Sequence, residues 1–341
     1  MKRLLALFLS LVACLSLIFA SACNDKPEPP SGETKTLTFY APDGAPALAV
    51  AKFINDGENF GIDNVNVEYN VVASSDIGPV MMQGKGDFIV MPVNAASKLY
   101  KASSNAPYVM TAVLTHGNLY LMSSIGTTSL QDLKGQVVGV IGQGLVPDLT
   151  FRAILSDNGL LGDVVVGNTA TPNKITINYS YKKAEDMIPL LEQGKIKIGL
   201  LPEPACTNLT KVASNHTWTR MDVQELYDAQ SKSYPQAVLM VKKSVYQQYK
   251  TKIDGMQSLF SQNVEWVKTN TEQAVQAVNA KLKEGVTPSL LASNVTPSVV
   301  DNCKIFYQAS SIAKTDVINY INKIIAIVPN SAAAIAQDFF A

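Results

Sequence analysis

Short polar stretches, each following an apolar run, hold most of the chemistry this chain can offer. Asp43-Gly44 lies between Pro42 and Ala45-Pro46, Ser74-Ser75 follows Val71-Val72-Ala73, and Asn94 follows Met91-Pro92-Val93. Gly142-Gln143-Gly144 comes directly after Val140-Ile141, and Glu203 is held between Pro202 and Pro204. Asp43 and Gly44 can present backbone N–H groups and a carboxylate to a small molecule, or form a turn in which Asp43 bonds its own backbone. Ser74 and Ser75 can cap a helix or donate to an anionic group. A polar amide such as Asn94, between an apolar strand and an Ala-rich helix, suits capping or ligand contact. The phosphate-loop reading of Gly142–Gly144 fails because no Gly-Lys-Ser/Thr follows, and a bare Gly-x-Gly says little about nucleotides. Glu203 could bond a ligand amine or ring nitrogen, or latch two lobes together. Tyr40, Tyr120, Tyr179, Tyr181 and Tyr234 fall at strand ends or at expected crossovers, with Asn118 beside them. They could wall a planar ring, and core packing explains each of them as well.

The same inventory argues against catalysis. His116 and His216 are isolated, no Cys, His and carboxylate cluster has metal spacing, and no Ser-His-Asp arrangement follows from two histidines. An anion site would be expected to use arginine, yet beyond Arg3 there are only Arg152 and Arg220. Lys and Arg number 28 against 28 Asp and Glu, and removing Lys2 and Arg3 leaves 26 against 28. A balance so close to neutral gives no basic patch for nucleic acid.

The elements that must position these residues follow from hydrophobic pattern. Leu37–Tyr40 reads as a strand, the Pro and Gly after it as a tight loop, and Ala47–Phe53 as a buried first helix with Pro46 at its start. Val65–Val72 and the fully apolar Phe88–Met91 repeat the arrangement, each followed by a loop and a helix start, with Ser and Asp in capping positions after the former. Successive strand-loop-helix units indicate a parallel, helix-flanked sheet. Tyr108–Leu114 and Asn118–Met122 are further strands about a His116-Gly117 turn. Val137–Ile141, Gly142–Asp148 and the helix Leu149–Leu155 repeat the opening unit and begin a second α/β lobe. Ile175–Tyr179 and Ile196–Leu201 are its strands, and Gln236–Val241 returns to the first lobe. Beyond Lys243 the spacing is helical. Ligands of open α/β sheets sit at the carboxyl ends of strands, where the polar stretches fall.

The chain opens as an export leader: Lys2-Arg3, an apolar run from Leu4 to Phe19, then Ala20-Ser21-Ala22-Cys23. The small residues before Cys23 resemble the bacterial lipobox, with Ala20 where Leu is usual, so residues 1–22 are expected to be removed and Cys23 lipidated. Ordinary cleavage near Ala22 is the alternative. Residues 23–36 then form a polar, proline-rich tether. Hydrophobic content of 47% allows a large core, and roughly 310 remaining residues suit two domains better than one. Cys206 and Cys303 read as buried free thiols, a disulfide being the alternative.

An exported chain with two α/β lobes and a helical tail resembles the solute-binding proteins of ABC importers. The type II branch that includes sulfonate, taurine, nitrate and thiamine-precursor binders is suggested by five segments. These are Tyr40–Pro46; Gly84-Lys85-Gly86-Asp87 with Val90–Asn94; Asp132-Leu133-Lys134-Gly135 with Val137-Val138-Gly139; Leu201-Pro202-Glu203-Pro204; and Gln236-Ala237-Val238. The resemblance implies a type II periplasmic-binding-protein fold, each lobe a mainly parallel sheet flanked by helices. Lobe one would be 37–121 with 237–341 and lobe two 122–236, with crossovers near Leu119–Ser124 and Tyr234–Met240. It implies a monomer without cofactor or metal, anchored by lipid, that traps a small molecule between its lobes and delivers it to an ABC permease and ATPase. Asp43, Gly44, Ser74, Ser75, Asn94, Asn118, Tyr120, Gly142, Gln143, Gly144, Tyr179, Glu203 and Tyr234 are the expected ligand neighbours, with a heteroaromatic compound preferred to a sulfonate. An enzyme on the same fold, resembling the pyrimidine synthases but lacking their Cys-rich signature, and a ligand-sensing lipoprotein are the alternatives.

Overall fold

The structure, a computed structural model, describes residues 34–102 and 107–341. The expected leader, Cys23 and most of the expected tether lie outside the described residues, and Lys35 and Thr36, expected at the tether's end, instead begin β1. The strands in chain order are β1 (Lys35–Pro42), β2 (Val65–Val72), β3 (Phe88–Pro92), β4 (Tyr108–His116), β5 (Leu119–Ser123) and β6 (Gln136–Val140), then β7 (Val164–Val166), β8 (Ile175–Asn178), β9 (Ile198–Pro202), β10 (Thr219–Asp222), β11 (Pro235–Lys242) and β12 (Ile305–Ala309). They form two six-stranded sheets, ordered β12-β4-β11-β3-β1-β2 and β10-β5-β9-β6-β8-β7. This is an α/β fold of two lobes, with helices flanking each sheet.

In the first sheet β1 and β3 run parallel, with Phe39 opposite Phe88 and Tyr40 opposite Ile89. β11 runs antiparallel to both β3 and β4. In the second sheet β6 is parallel to β8 and β9, and β7 to β8. β4 is buried along its whole length, which its apolar sequence explains, since a central strand covered on both faces has no solvent side to leave polar. The parallel pairs are joined through helices, so the loops leaving their carboxyl ends lie side by side.

Three features depart from the sequence expectation. The run after Pro46 is two short helices, Ala45–Leu48 and Ala51–Asp56, broken at Ala49-Val50. Buried Asn263, from the helix Gln257–Thr269, fills the break: its Nδ2 donates to Leu48 O at 3.1 Å and its Oδ1 accepts from Lys52 N–H at 2.8 Å. Second, neither expected crossover segment is shared between sheets. β5 belongs wholly to the second sheet and β11 to the first, and the chain passes between them at Gly117-Asn118 and again between Asp222 and Pro235. Close packing makes the first passage specific, because a Cβ on Gly117 would stand 2.2 Å from Tyr234 Cε1.

Third, β7, β10 and β12 lie outside the strands expected from the sequence. β7 is three residues at a sheet edge, β10 is the half-polar Thr219-Arg220-Met221-Asp222, and β12 interrupts the helical tail. The last helix, Ser310–Ile327, also does more than cover the first lobe. Its Tyr320 hydroxyl is 2.8 Å from Thr150 Oγ1 and its Lys323 pairs with Asp157 at 2.5 Å, both on the second-lobe helix Val146–Asp157. Val317, Ile321 and Ile324 are fully buried in a core that includes Phe151 and Ile154, at roughly 1.5–3 kcal/mol each from burial.

Candidate functional site

The first-sheet edge of the candidate site is built by adjacent strands. Asp43 directly follows β1, and its carboxylate makes both a local bond to the next residue and a long-range clasp. Oδ1 accepts from Gly44 N–H at 2.8 Å, and Oδ2 accepts from Ser289 N–H at 2.7 Å. Burial raises the carboxyl's pKa even though these bonds and Lys183 favour the ionised form. Lys183 belongs to the second lobe, as does Glu185, whose pKa is also raised, chiefly by burial, with Asp43 contributing. Gly44 adopts φ 98°, a conformation L side chains rarely take, and Gly44 O accepts the N–H groups of Ala47 and Leu48. Ser289 Oγ is buried without a partner.

Asn94 follows β3, in the first turn of the helix Val93–Ala102. It does not cap that helix. Its Nδ2 donates to Gly144 O at 3.0 Å and to Ser331 O at 3.1 Å, while Oδ1 has no partner and the residue is only 2% exposed. Gly144 is in the second lobe, so this amide joins the two strand-end edges. Ser74 and Ser75 are exposed. Neither caps, since Asp76 heads the next helix without a side-chain cap bond and Ser75 Oγ donates to Asp76 Oδ1 at 3.2 Å.

On the second-sheet edge, Gly142 and Gly144 have φ of 64° and 74°. Gly144 N–H donates to Asp148 Oδ2 at 2.9 Å. Asp148 Oδ1 accepts from Arg152 Nε at 2.8 Å and from the Tyr179 hydroxyl at 2.5 Å, and Arg152 Nη2 donates to that hydroxyl at 2.7 Å. Tyr179 is therefore a strut for the glycine loop, its pKa raised first by burial and then by Asp148. Gln143 is exposed.

Glu203 is 1% exposed and its carboxylate is occupied. Oε1 accepts from Arg220 Nη1 at 2.7 Å and Thr207 Oγ1 at 3.1 Å, and Oε2 accepts from Thr207 N–H at 3.1 Å. The Arg220 guanidinium lies 3.5 Å from the centroid of the Tyr120 ring. Tyr120 is buried, which pushes its pKa up to about 12. Asn118 marks the passage between sheets: its Nδ2 donates to Glu203 O at 3.2 Å and its Oδ1 accepts from Gln236 Nε2 at 3.0 Å. Tyr234 is enclosed in the core, its ring 5.9 Å from Tyr320 and 5.2 Å from Tyr227, and its hydroxyl donates to Gln224 Oε1 at 3.2 Å. A second tie between lobes lies at the rim, where Asn294 Nδ2 donates to Asn208 Oδ1 at 2.8 Å and Lys211 Nζ to Ser293 O.

The structure thus brings Asp43, Gly44, Asn94 and Gly144 to facing edges, places Asn118 and Glu203 at the passage between sheets, and packs Tyr120 and Tyr234 inside. Sequence reading missed Ser289, Lys183 and Glu185, which have no local signal, because Ser289 meets Asp43 across 246 positions. Asp148 and Arg152 were findable as an i, i+4 pair on a helix. Cys206 and Cys303 are both free and buried, as the sequence suggested, and burial pushes both thiols up. Among the described residues, no three His, Cys, Asp or Glu side chains could hold a metal ion, and no helix is long and apolar enough to cross a membrane.

No protein-family model matches this chain, and no curated protein does. Solved structures do. An ABC transporter protein from Parabacteroides distasonis superposes with a TM-score of 0.71 at 18% identity, covering 90% of this chain and 99% of the other. The periplasmic aliphatic sulphonate-binding protein SsuA of Escherichia coli gives 0.57 at 13%, covering 87% and 95%. The alkanesulfonate-binding protein SsuA of Xanthomonas axonopodis pv. citri, bound to MOPS, gives 0.57 at 10%, covering 89% and 98%. The chain has the two-lobed α/β fold of these periplasmic binding proteins.

Proposed function

We propose that this chain is an extracytoplasmic solute-binding protein of an ABC importer. It traps a small organic nutrient between lobe one, built on the first sheet, and lobe two, built on the second, with the chain passing between them at Gly117-Asn118 and between Asp222 and Pro235. It is a monomer, not an enzyme, exported through the leader at 1–22, held at the membrane by lipid on Cys23 and a tether that ends where β1 begins, and it hands its ligand to a permease and ATPase. The observation that carries this reading is the meeting of strand-end loops from two sheets, where Asn94 of one lobe bonds Gly144 O of the other. Beside the core the lobes share under the helix Ser310–Ile327, their strand-end edges meet through a few polar contacts that can be traded for ligand contacts, and a ligand that favours the closed form shifts the population toward it. Likeness to the binding proteins named above supports the transport role. Asp43, Gly44, Asn94 and Gly144 are the ligand neighbours this reading favours, and a heteroaromatic compound is its preferred ligand.

Native mass spectrometry of the chain purified from its own organism tests this directly. A stoichiometric small molecule, lost on unfolding and restored on refolding with the extract, is the expected result. Ligand at 100 times Kd should also stabilise the folded chain by about 2.7 kcal/mol. Turnover of the recovered molecule into a product would reject the reading in favour of an enzyme.

A further inference from the structure

The hydrogen-bonding capacity left over at this site identifies the kind of molecule it takes, given that the cleft binds a solute at all. The strand order β11-β3-β1 sets three polar residues in a row along one edge. Asp43 directly follows β1. Asn94 lies two residues past β3. Gln236, on β11, precedes Ala237, which is opposite Pro92 of β3. At roughly 4.8 Å between neighbouring strands the row spans about 10 Å, the size of a small ring with its substituents.

Each member of the row is left as an acceptor. Both Asn94 Nδ2 hydrogens go to backbone carbonyls, so its amide cannot be turned round without setting oxygen against oxygen. Its Oδ1 has no partner. Gln236 is fixed in the same way through a relay: Asn118 Nδ2 donates to Glu203 O, so Asn118 Oδ1 must accept, and Gln236 Nε2 must donate to it. Gln236 Oε1 is then a buried acceptor, also without a partner. Asp43 accepts from Gly44 and from Ser289 and, as a carboxylate, has further lone pairs beyond those bonds.

The two arginines and the glycine-loop N–H are spent by comparison, which leaves Lys183, whose charge reaches Asp43 and Glu185, as the cation on the second-lobe side. Arg152 is held by Asp148 and Tyr179, and Arg220 by Glu203 over the Tyr120 ring. Gly144 N–H is taken by Asp148.

We infer that the ligand of this cleft presents hydrogen-bond donors to Asp43, Asn94 and Gln236, as a primary amine, an amidine or an amino-substituted ring does, and that the site refuses sulfonates. Buried acceptors are satisfied only by a donor, and a sulfonate brings three more acceptors to a row of them. The chain therefore departs in ligand class from the sulfonate binders it resembles in fold.

Titration calorimetry of the full chain against 4-amino-5-aminomethyl-2-methylpyrimidine, 4-aminopyrimidine and benzamidine, with ethanesulfonate and MOPS at matched ionic strength, tests this. At least one N–H donor should bind and neither sulfonate should. Gln236→Met, which keeps the side-chain length and loses the acceptor, and Asp43→Asn should each weaken that binding at least tenfold while the unliganded chain stays folded by circular dichroism. Donor binding indifferent to both substitutions would overturn the inference, as would silence of all three donors. Sulfonate binding accompanied by compaction in small-angle scattering would overturn the ligand class and leave the solute-binding role standing. That role is judged separately by the co-purified molecule.

Discussion

Glu203 and Arg220 share an ion pair in unequal surroundings, the Glu203 side chain being 0% exposed and that of Arg220 33%. Removing the cation strands a carboxylate that cannot reach water, whereas removing the anion leaves a guanidinium that can. Arg220→Met is expected to cost about 3–5 kcal/mol, and Glu203→Gln only about 1–2 kcal/mol. Urea denaturation of the two variants checks the order, and equal losses would contradict the account. His116 supplies a second residue-scale test. Burial pushes its pKa down from 6.5 to about 4, its ring stacked on Phe306 and its Nδ1 2.8 Å from Ser233 Oγ. A depressed histidine pKa means the unfolded chain takes up a proton first. Stability is therefore complete above pH 6.5 and falls as pH drops toward 4, by at most about 3 kcal/mol. His116→Phe should flatten that slope in denaturation series at pH 7 and pH 4.5, and an unchanged slope would assign the loss to other groups.

At the scale of elements, the strands were more legible than the joints between them. Phe88–Met91 and Tyr108–Leu114 are apolar runs whose only low-energy place is between covered faces, so they read directly as buried strands. The break at Ala49-Val50 could not be read, because the Ala/Leu-rich run is sound helix by composition and the group that stitches the break is Asn263, more than 200 positions away. Asn263→Leu would leave Leu48 O and Lys52 N–H buried and unpaired, at a cost of about 2–4 kcal/mol. Hydrogen exchange should show that loss at residues 47–53 before the rest of the lobe. Uniform change across the chain would argue that the break is not where the energy lies. β10 escaped notice for a related reason: as an edge strand beside β5, it needs no apolar alternation.

For the whole molecule, the proposed function makes the balance between open and closed lobes the governing quantity. The rim tie, Asn294 to Asn208 and Lys211 to Ser293 O, and the inner tie, Asn94 to Gly144 O, are few and polar. Each is worth on the order of 1 kcal/mol net, small enough for a ligand to outweigh. The loop that supplies Ser293 and Asn294 to the rim also supplies Ser289 to Asp43, so one segment touches both the candidate ligand edge and the rim. Asn294→Ala with Asn208→Ala should raise the unliganded radius of gyration in small-angle scattering while the melting temperature changes little. An unchanged radius would mean that the core beneath Tyr320 and Tyr234, not the rim, sets the angle between lobes.

The sequence by itself determined the α/β class, the succession of strands and the placing of polar groups just past their ends, because burial on two faces and the turn preferences of Pro and Gly are local facts. The expectation of a leader and of lipid on Cys23 is likewise local, read from adjacent residues. Only the tertiary structure decided which polar groups are spent and which are spare. Glu203, Asn94 and Gln236 look equally available in the sequence. One is saturated by Arg220 and Thr207, while the other two keep an unpaired oxygen. Hydrogen-bond valence is settled largely by partners brought from 17 to 237 positions away, and that information exists only once the chain is folded.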